Sequence, residues 1–167
     1  MWVLEQVSTT YMNLQRLCKE VIQRDILPVR RLILTIRYTD WWEWENDAPL
    51  FIADGWHGVN QIPESVEEVV LELETRNSKK AELEEIVNGQ LRRWTFRGVS
   101  GFVYPLDESR TTRSTWLGSW APGGRCREHH SPDANVRSLN DGKMLYYVVK
   151  MFWTKMEPIN FGDLNIL

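Results

Sequence analysis

Cysteine is scarce, with only Cys18 and Cys126 among 167 residues. Two are too few for a disulfide framework, so the expected setting is a reducing one, intracellular and either cytoplasmic or nuclear. Long apolar runs are missing as well. No stretch approaches the roughly 18 residues of a membrane span, and Met1-Trp-Val-Leu-Glu5 lacks both the basic start and the apolar centre of a signal peptide. Positive charge is not in excess either: 20 Lys and Arg against 23 Asp and Glu leave a net −3. That removes the global field which drives non-specific binding to nucleic acid.

Several catalytic signatures are absent. There is no Gly-x-Ser-x-Gly elbow, no Gly-x-Gly-x-x-Gly and no Walker-type phosphate loop. Metal-ligand types crowd together only at Cys126-Arg-Glu-His129-His130, with His57 and Asp133 elsewhere as partners. One cysteine beside two adjacent histidines lacks the fixed spacing of a four-ligand zinc site. The expectation is no metal, no cofactor and no catalytic residue.

What the chain does have is the composition of a folded domain: 43% hydrophobic and 26% charged residues, with nine Trp. Its length fits one domain with an ordinary core. From Thr9 to Arg24, Leu14, Leu17, Cys18, Val21 and Ile22 fall on one helical stripe. Ser8 or Thr9 is placed to cap it and Pro28 to end it, so residues 1–30 read as an N-terminal helix.

Alternation then predicts strands. Leu32, Leu34, Ile36 and Tyr38 alternate with Ile33, Thr35 and Arg37, and Val69, Leu71 and Leu73 alternate with Val70, Glu72 and Glu74. Ser78 is placed to cap a helix whose Leu83, Ile86, Val87 and Leu91 share a face, ending near Gly89. Arg92 to Arg97 reads as a third strand, with Trp94 and Phe96 on one side. Strand, helix and strand with short loops predict a βαβ unit with parallel strands. Asp40 to Ser65 becomes a long irregular crossover carrying Trp41, Trp42, Trp44 and Trp56.

Residues 98–142 loosen into Gly-, Ser-, Arg- and Pro-rich sequence and read as a loop region. Lys143 to Lys155 is apolar on both faces, which predicts a final and central strand. The fold class expected is α/β: a single domain over residues 1–167, with a small mixed or partly parallel sheet and helices packed on it.

Leu34-Thr-Ile-Arg-Tyr-Thr-Asp-Trp-Trp-Glu-Trp-Glu45, Pro63 to Thr75, Lys79-Lys-Ala-Glu-Leu83 and Trp116-Leu-Gly-Ser-Trp120 together resemble a family of uncharacterised filamentous-fungal proteins. Some chains of that kind resemble the leucine-rich-repeat-like part of F-box proteins. The resemblance covers most of the chain from about Leu32 onward. It implies a leucine-rich-repeat-like βαβ unit and brings no established activity or catalytic residues.

Charge is unevenly placed. Asp40 to Val87 holds thirteen acids against three bases, and Asn88 to His130 holds seven Arg and three acids. Arg92, Arg93, Arg97, Arg110 and Arg113 interleave with aromatics as in single-strand nucleic-acid binders, yet alternation turns Trp94 and Phe96 away from the arginines. A protein partner, or a second copy of the chain, fits better. The candidate interaction surface is Glu43, Glu45, Glu72 and Glu74 rimmed by Trp42, Trp44 and Trp56. If Trp42-Glu-Trp-Glu45 is extended, its two Trp share one face and its two Glu the other. The function expected is a non-enzymatic protein–protein interaction domain. The alternative is a carbohydrate or small-molecule binder, in which sugars stack on Trp and the neighbouring acids serve proton transfer.

Overall fold

The computed structural model describes residues 29–52, 62–99, 101–119 and 143–156. The helix expected over Thr9–Arg24, Trp56, His57 and the Cys126–His130 cluster lie outside the described residues.

The fold is a small α/β structure with a mixed four-stranded sheet, one described α-helix and a second, two-stranded sheet. The strands of the main sheet are β1 (Arg31–Ile36), β2 (Glu68–Arg76), β5 (Thr112–Ser119) and β6 (Lys143–Thr154). Strands β3 (Phe96–Arg97) and β4 (Val103–Tyr104) form the small one. The order in the main sheet is β1-β2-β6-β5, with β1 parallel to β2 and the other pairs antiparallel. Helix α1 is Lys80–Gly89.

Period-two alternation produces the two-sided sheet. Register sets Leu34 beside Leu71 and Leu71 beside Met151, so Leu32, Leu34, Ile36, Val69, Leu71, Leu73, Val149, Met151 and Trp153 share one buried face. Leu83 and Val87 of α1 cover it, together with Leu91, Trp94, Phe96 and Tyr104. Trp153 is fully buried, donates its indole N–H to the Trp94 carbonyl at 2.8 Å, and meets Phe96 edge-on at 5.1 Å. Tyr104 donates to the Val66 carbonyl at 2.7 Å, and its burial pushes the phenol up to about 12.

The strand apolar on both faces, β6, is an interior strand, as its pattern implies. Glu72 and Glu74 lie on the face opposite Leu71 and Leu73, again as alternation requires. That opposite face also buries Thr35, Val70, Tyr146 and Val148.

Four expectations are corrected. Arg92–Arg97 is not a strand of the main sheet. Leu91–Arg93 forms a 3-10 turn that extends the end of α1, and only Phe96–Arg97 is extended, pairing antiparallel with Val103–Tyr104. The expected parallel βαβ pair is therefore not β2 with β3. The parallel pair is β1 with β2, and the long crossover connects it. Ser78 does not cap α1, because it sits within a 3-10 turn, Asn77–Lys79, that leads into the helix. The region expected as loop, residues 98–142, contains β4 and the eight-residue β5. Before β5, residues 103–107 already run along β6, with Asp107 N–H bonded to the Phe152 carbonyl at 2.7 Å.

Candidate functional site: an aromatic end of the sheet

Where β1 ends the chain turns sharply. Asp40 accepts the Arg37 N–H on its carboxylate at 2.8 Å and donates its own N–H to the Arg37 carbonyl at 2.9 Å, closing a 3-10 turn over Tyr38–Asp40. Burial raises the Asp40 carboxyl above its ordinary value, against the lowering effect of that backbone hydrogen bond. Trp41 is buried and donates its indole N–H to the Glu74 carbonyl at 2.7 Å, pinning the crossover to the end of β2.

The next residues are not extended, so the two-faced alternation of Trp42-Glu-Trp-Glu45 does not occur. Trp44–Asn46 is a 3-10 turn flanked by Glu43 at φ 47° and Asp47 at φ 57°, both left-handed without being glycine. Such conformations cost of order 1–3 kcal/mol each and persist only where surrounding contacts over-determine them. Those contacts come from α1 and the turn before it. Lys79 is buried, and its ammonium donates to the carbonyls of Asp47 at 3.1 Å and Ala48 at 2.7 Å and to the Glu82 carboxylate at 3.2 Å. Glu82 in turn accepts the Leu50 N–H at 2.9 Å, Gln90 donates to the Ile52 carbonyl at 3.1 Å, and Arg76 pairs with Asp47.

The product is a rigid turn with two kinds of side chain. Trp44 is half-buried and meets Tyr38 edge-on at 5.4 Å. Trp42 remains 43% exposed, and Glu43 and Glu45 are exposed beside it. From Tyr38 the rings continue across the sheet: Tyr146 lies 6.2 Å away, and Trp116 stacks on Tyr146 at 4.7 Å with the planes 19° apart. The Arg76 guanidinium sits 5.2 Å from the Tyr38 ring centre.

Of the expected acids, Glu43 and Glu45 project from the turn, whereas Glu72 and Glu74 are engaged within the fold. Lys150 contacts Glu72 at 2.5 Å. Glu74 accepts the Trp116 indole N–H at 3.1 Å and the Tyr38 N–H at 3.4 Å. Sequence reasoning missed Tyr38, Tyr146 and Trp116 as one ladder, since the neighbour order of β6 and β5 is a long-range property. The signal that was present is the spacing Trp116-Leu-Gly118, a glycine two residues from a Trp on one strand face.

A second polar cluster holds the sheet to α1. The Glu84 carboxylate accepts the Nε and Nη2 N–H groups of Arg113, at 2.7 and 3.0 Å, together with Asn88 at 3.1 Å and the Tyr147 hydroxyl. The Arg113 hydrogen bond is the largest cause of a Glu84 carboxyl lowered to about 2, and burial first, then Glu84, raises the Tyr147 phenol to about 12. A carboxylate held this firmly and a phenol this weakly acidic make a clamp.

Among the described residues no group of three His, Cys, Asp or Glu is placed to hold a metal ion, and no helix is long and apolar enough to cross a membrane. Compared with known proteins, the chain matches no family model, no curated protein and no solved structure.

Proposed function

We propose that this chain is a non-enzymatic protein-interaction domain and that the Trp42–Glu45 turn is its docking element. One observation carries the reading: a turn with two strained non-glycine residues, fixed by the buried Lys79, offers an exposed Trp with two exposed carboxylates. Strain held in place by a clamp is a recurring property of binding turns. An aromatic anchor ordered in advance costs little conformational entropy on association. The partner chemistry that fits is a basic protein segment, its Arg or Lys pairing with Glu43 and Glu45 while an apolar or guanidinium group covers Trp42.

Glu74 supports this surface from within the sheet by accepting the Tyr38 N–H, Trp44 buttresses it through Tyr38, and Glu72 is paired with Lys150 instead. A protein with two cysteines and this surface suits a reducing compartment, cytoplasmic or nuclear. Kinship with the filamentous-fungal family, and with a leucine-rich-repeat-like unit, belongs to the same proposal. It rests on the sequence segments Leu34–Glu45, Pro63–Thr75, Lys79–Leu83 and Trp116–Trp120 that carry the resemblance.

The test is a fluorescence titration of the whole chain with a synthetic Lys/Arg-rich peptide and, separately, with soluble oligosaccharides. Saturable, salt-sensitive binding of the peptide that Trp42→Ala weakens supports the reading. Binding of an oligosaccharide at Trp42, with no response to the peptide, would transfer the site to the carbohydrate-binding alternative.

A further inference from the structure

A second surface, at the far side of the sheet from β1, points to self-pairing. β5 forms one edge of the sheet, with β6 beside it and no further strand among the described residues. Edge strands ordinarily carry devices against pairing with other chains: short length, Pro, an outward Lys or a bulge. β5 carries a single charged residue, Arg113, which is turned onto Glu84 of its own chain, and none of the other devices. It is eight residues long, its register with β6 runs without a slip from Thr112 opposite Lys150 to Ser119 opposite Lys143, and Thr112 through Leu117 are all exposed. The opposite edge differs, since β1 is shorter, buries Leu32, Leu34, Thr35 and Ile36, and begins with Arg31 just after Arg30.

We propose that the occupant of this edge is a second copy of the chain, its β5 antiparallel to the first and related by a two-fold axis at Thr115, so that two four-stranded sheets become one of eight. In that register Thr115 faces Thr115 of the partner copy, Ser114 faces Trp116, Arg113 faces Leu117 and Thr112 faces Gly118. Each pair joins residues of the same sheet face, as antiparallel pairing requires. Charge argues for a copy over a charged partner. The only ionised side chain from Thr112 to Gly118 is Arg113, which is already bonded twice to Glu84 of its own chain and never faces its own kind in this register.

Trp116 also fits. Its ring is folded flat over Gly118 and onto Tyr146, which keeps it clear of an incoming backbone while leaving it 47% exposed. A small Ser114 from the partner copy then meets it, and the backbone N–H and C=O groups on this edge gain strand partners. Trp116 belongs to the ring ladder that reaches Trp44, but the two proposals are read by different measurements, self-association here and peptide binding for the turn.

The experiment uses the full chain. Sedimentation velocity across a concentration series is expected to show a reversible monomer–dimer equilibrium, weak because an edge pairing buries less than a standard interface. Thr115→Arg, which opposes like charges on the axis, is expected to leave the far-ultraviolet spectrum unchanged and weaken the dimer at least tenfold. Residues opposed across an antiparallel pair have Cβ atoms about 4.5–5.5 Å apart, close to disulfide reach. Oxidised Thr115→Cys protein is therefore expected to form an intermolecular disulfide, mapped by mass spectrometry to the two introduced cysteines, much faster than Ser114→Cys protein. A chain that sediments as a monomer throughout, or equal cross-linking of the two variants, would overturn the proposal.

Discussion

The indole of Trp116 occupies the space that a side chain at Gly118 would need. A Cβ built on Gly118 comes within 2.4 Å of Trp116 Cζ3 and 2.8 Å of Tyr146 Cε2. The two residues point to the same face of β5, two apart, so the missing side chain of one is what lets the ring of the other lie flat on Tyr146. Large aromatics covering strand glycines in this way keep the backbone protected where no side chain can.

Gly118→Ala is therefore expected to push the indole off Tyr146 and to cost about 1–3 kcal/mol, the usual range for overpacking. Chemical denaturation measures the loss, and near-ultraviolet circular dichroism reports the broken stack. Leu117→Ala, one residue away and exposed, is expected to stay within about 0.5 kcal/mol.

Leu71→Ala tests the core. Leu71 lies between Leu34 and Met151 on the face that α1 covers and is almost fully buried. The expected loss is about 2–5 kcal/mol, the range for large-to-small changes in a packed interior. A loss below about 1 kcal/mol would contradict the packing described.

Much of this architecture is legible in the sequence because burial on one face imposes a period. Leu32, Leu34 and Ile36, then Val69, Leu71 and Leu73, spell β1 and β2, and the two-sided apolar run of β6 spells an interior strand. β5 escapes the same reading for a physical reason. Thr112 through Leu117 are exposed on both faces of an edge, so no apolar alternation marks them. Trp94 and Phe96 signal burial correctly, but burial alone does not say which sheet a segment joins. The Trp42–Glu45 turn defeats alternation because its conformation is imposed from outside, by Lys79 and Glu82 some 30 residues later in the chain.

Glu84 makes stability depend on pH. Its folded carboxyl titrates at about 2 against an ordinary 4.5, so the folded state binds fewer protons than the unfolded one between those values. The stabilisation is complete above the ordinary value and is lost as pH falls toward 2. It amounts to roughly 1–2 kcal/mol after allowance for solvent screening. Glu84→Gln is expected to cost that much at neutral pH and to flatten stability between pH 4.5 and about 2. Tyr147 works in the opposite direction, since its phenol is raised from 10 to about 12 and its contribution is lost as pH climbs through that range. Tyr147→Phe is expected to reduce the alkaline slope without abolishing it, because the buried Tyr104 phenol is raised to about 12 as well.

Lys79→Met retains most of the apolar stem and removes the ammonium that holds the Asp47 and Ala48 carbonyls. With the clamp gone, Glu43 and Asp47 are expected to leave the left-handed region. Basic-peptide affinity should then fall several-fold although Lys79 touches no ligand. Hydrogen exchange at Asn46 and Asp47 checks the loosening directly, because both N–H groups close the turn.

The most direct measurement is calorimetric titration of the Lys/Arg-rich peptide into the wild-type chain and into the double variant Glu43→Lys/Glu45→Lys, at low and at physiological salt. Exposed charges attract across a screened solvent, so the wild-type affinity is expected to fall as salt rises and the variant to bind at least tenfold more weakly, with its thermal unfolding unchanged. Equal affinity for the two proteins, at either salt concentration, would contradict the assignment of the Trp42–Glu45 turn as the docking element.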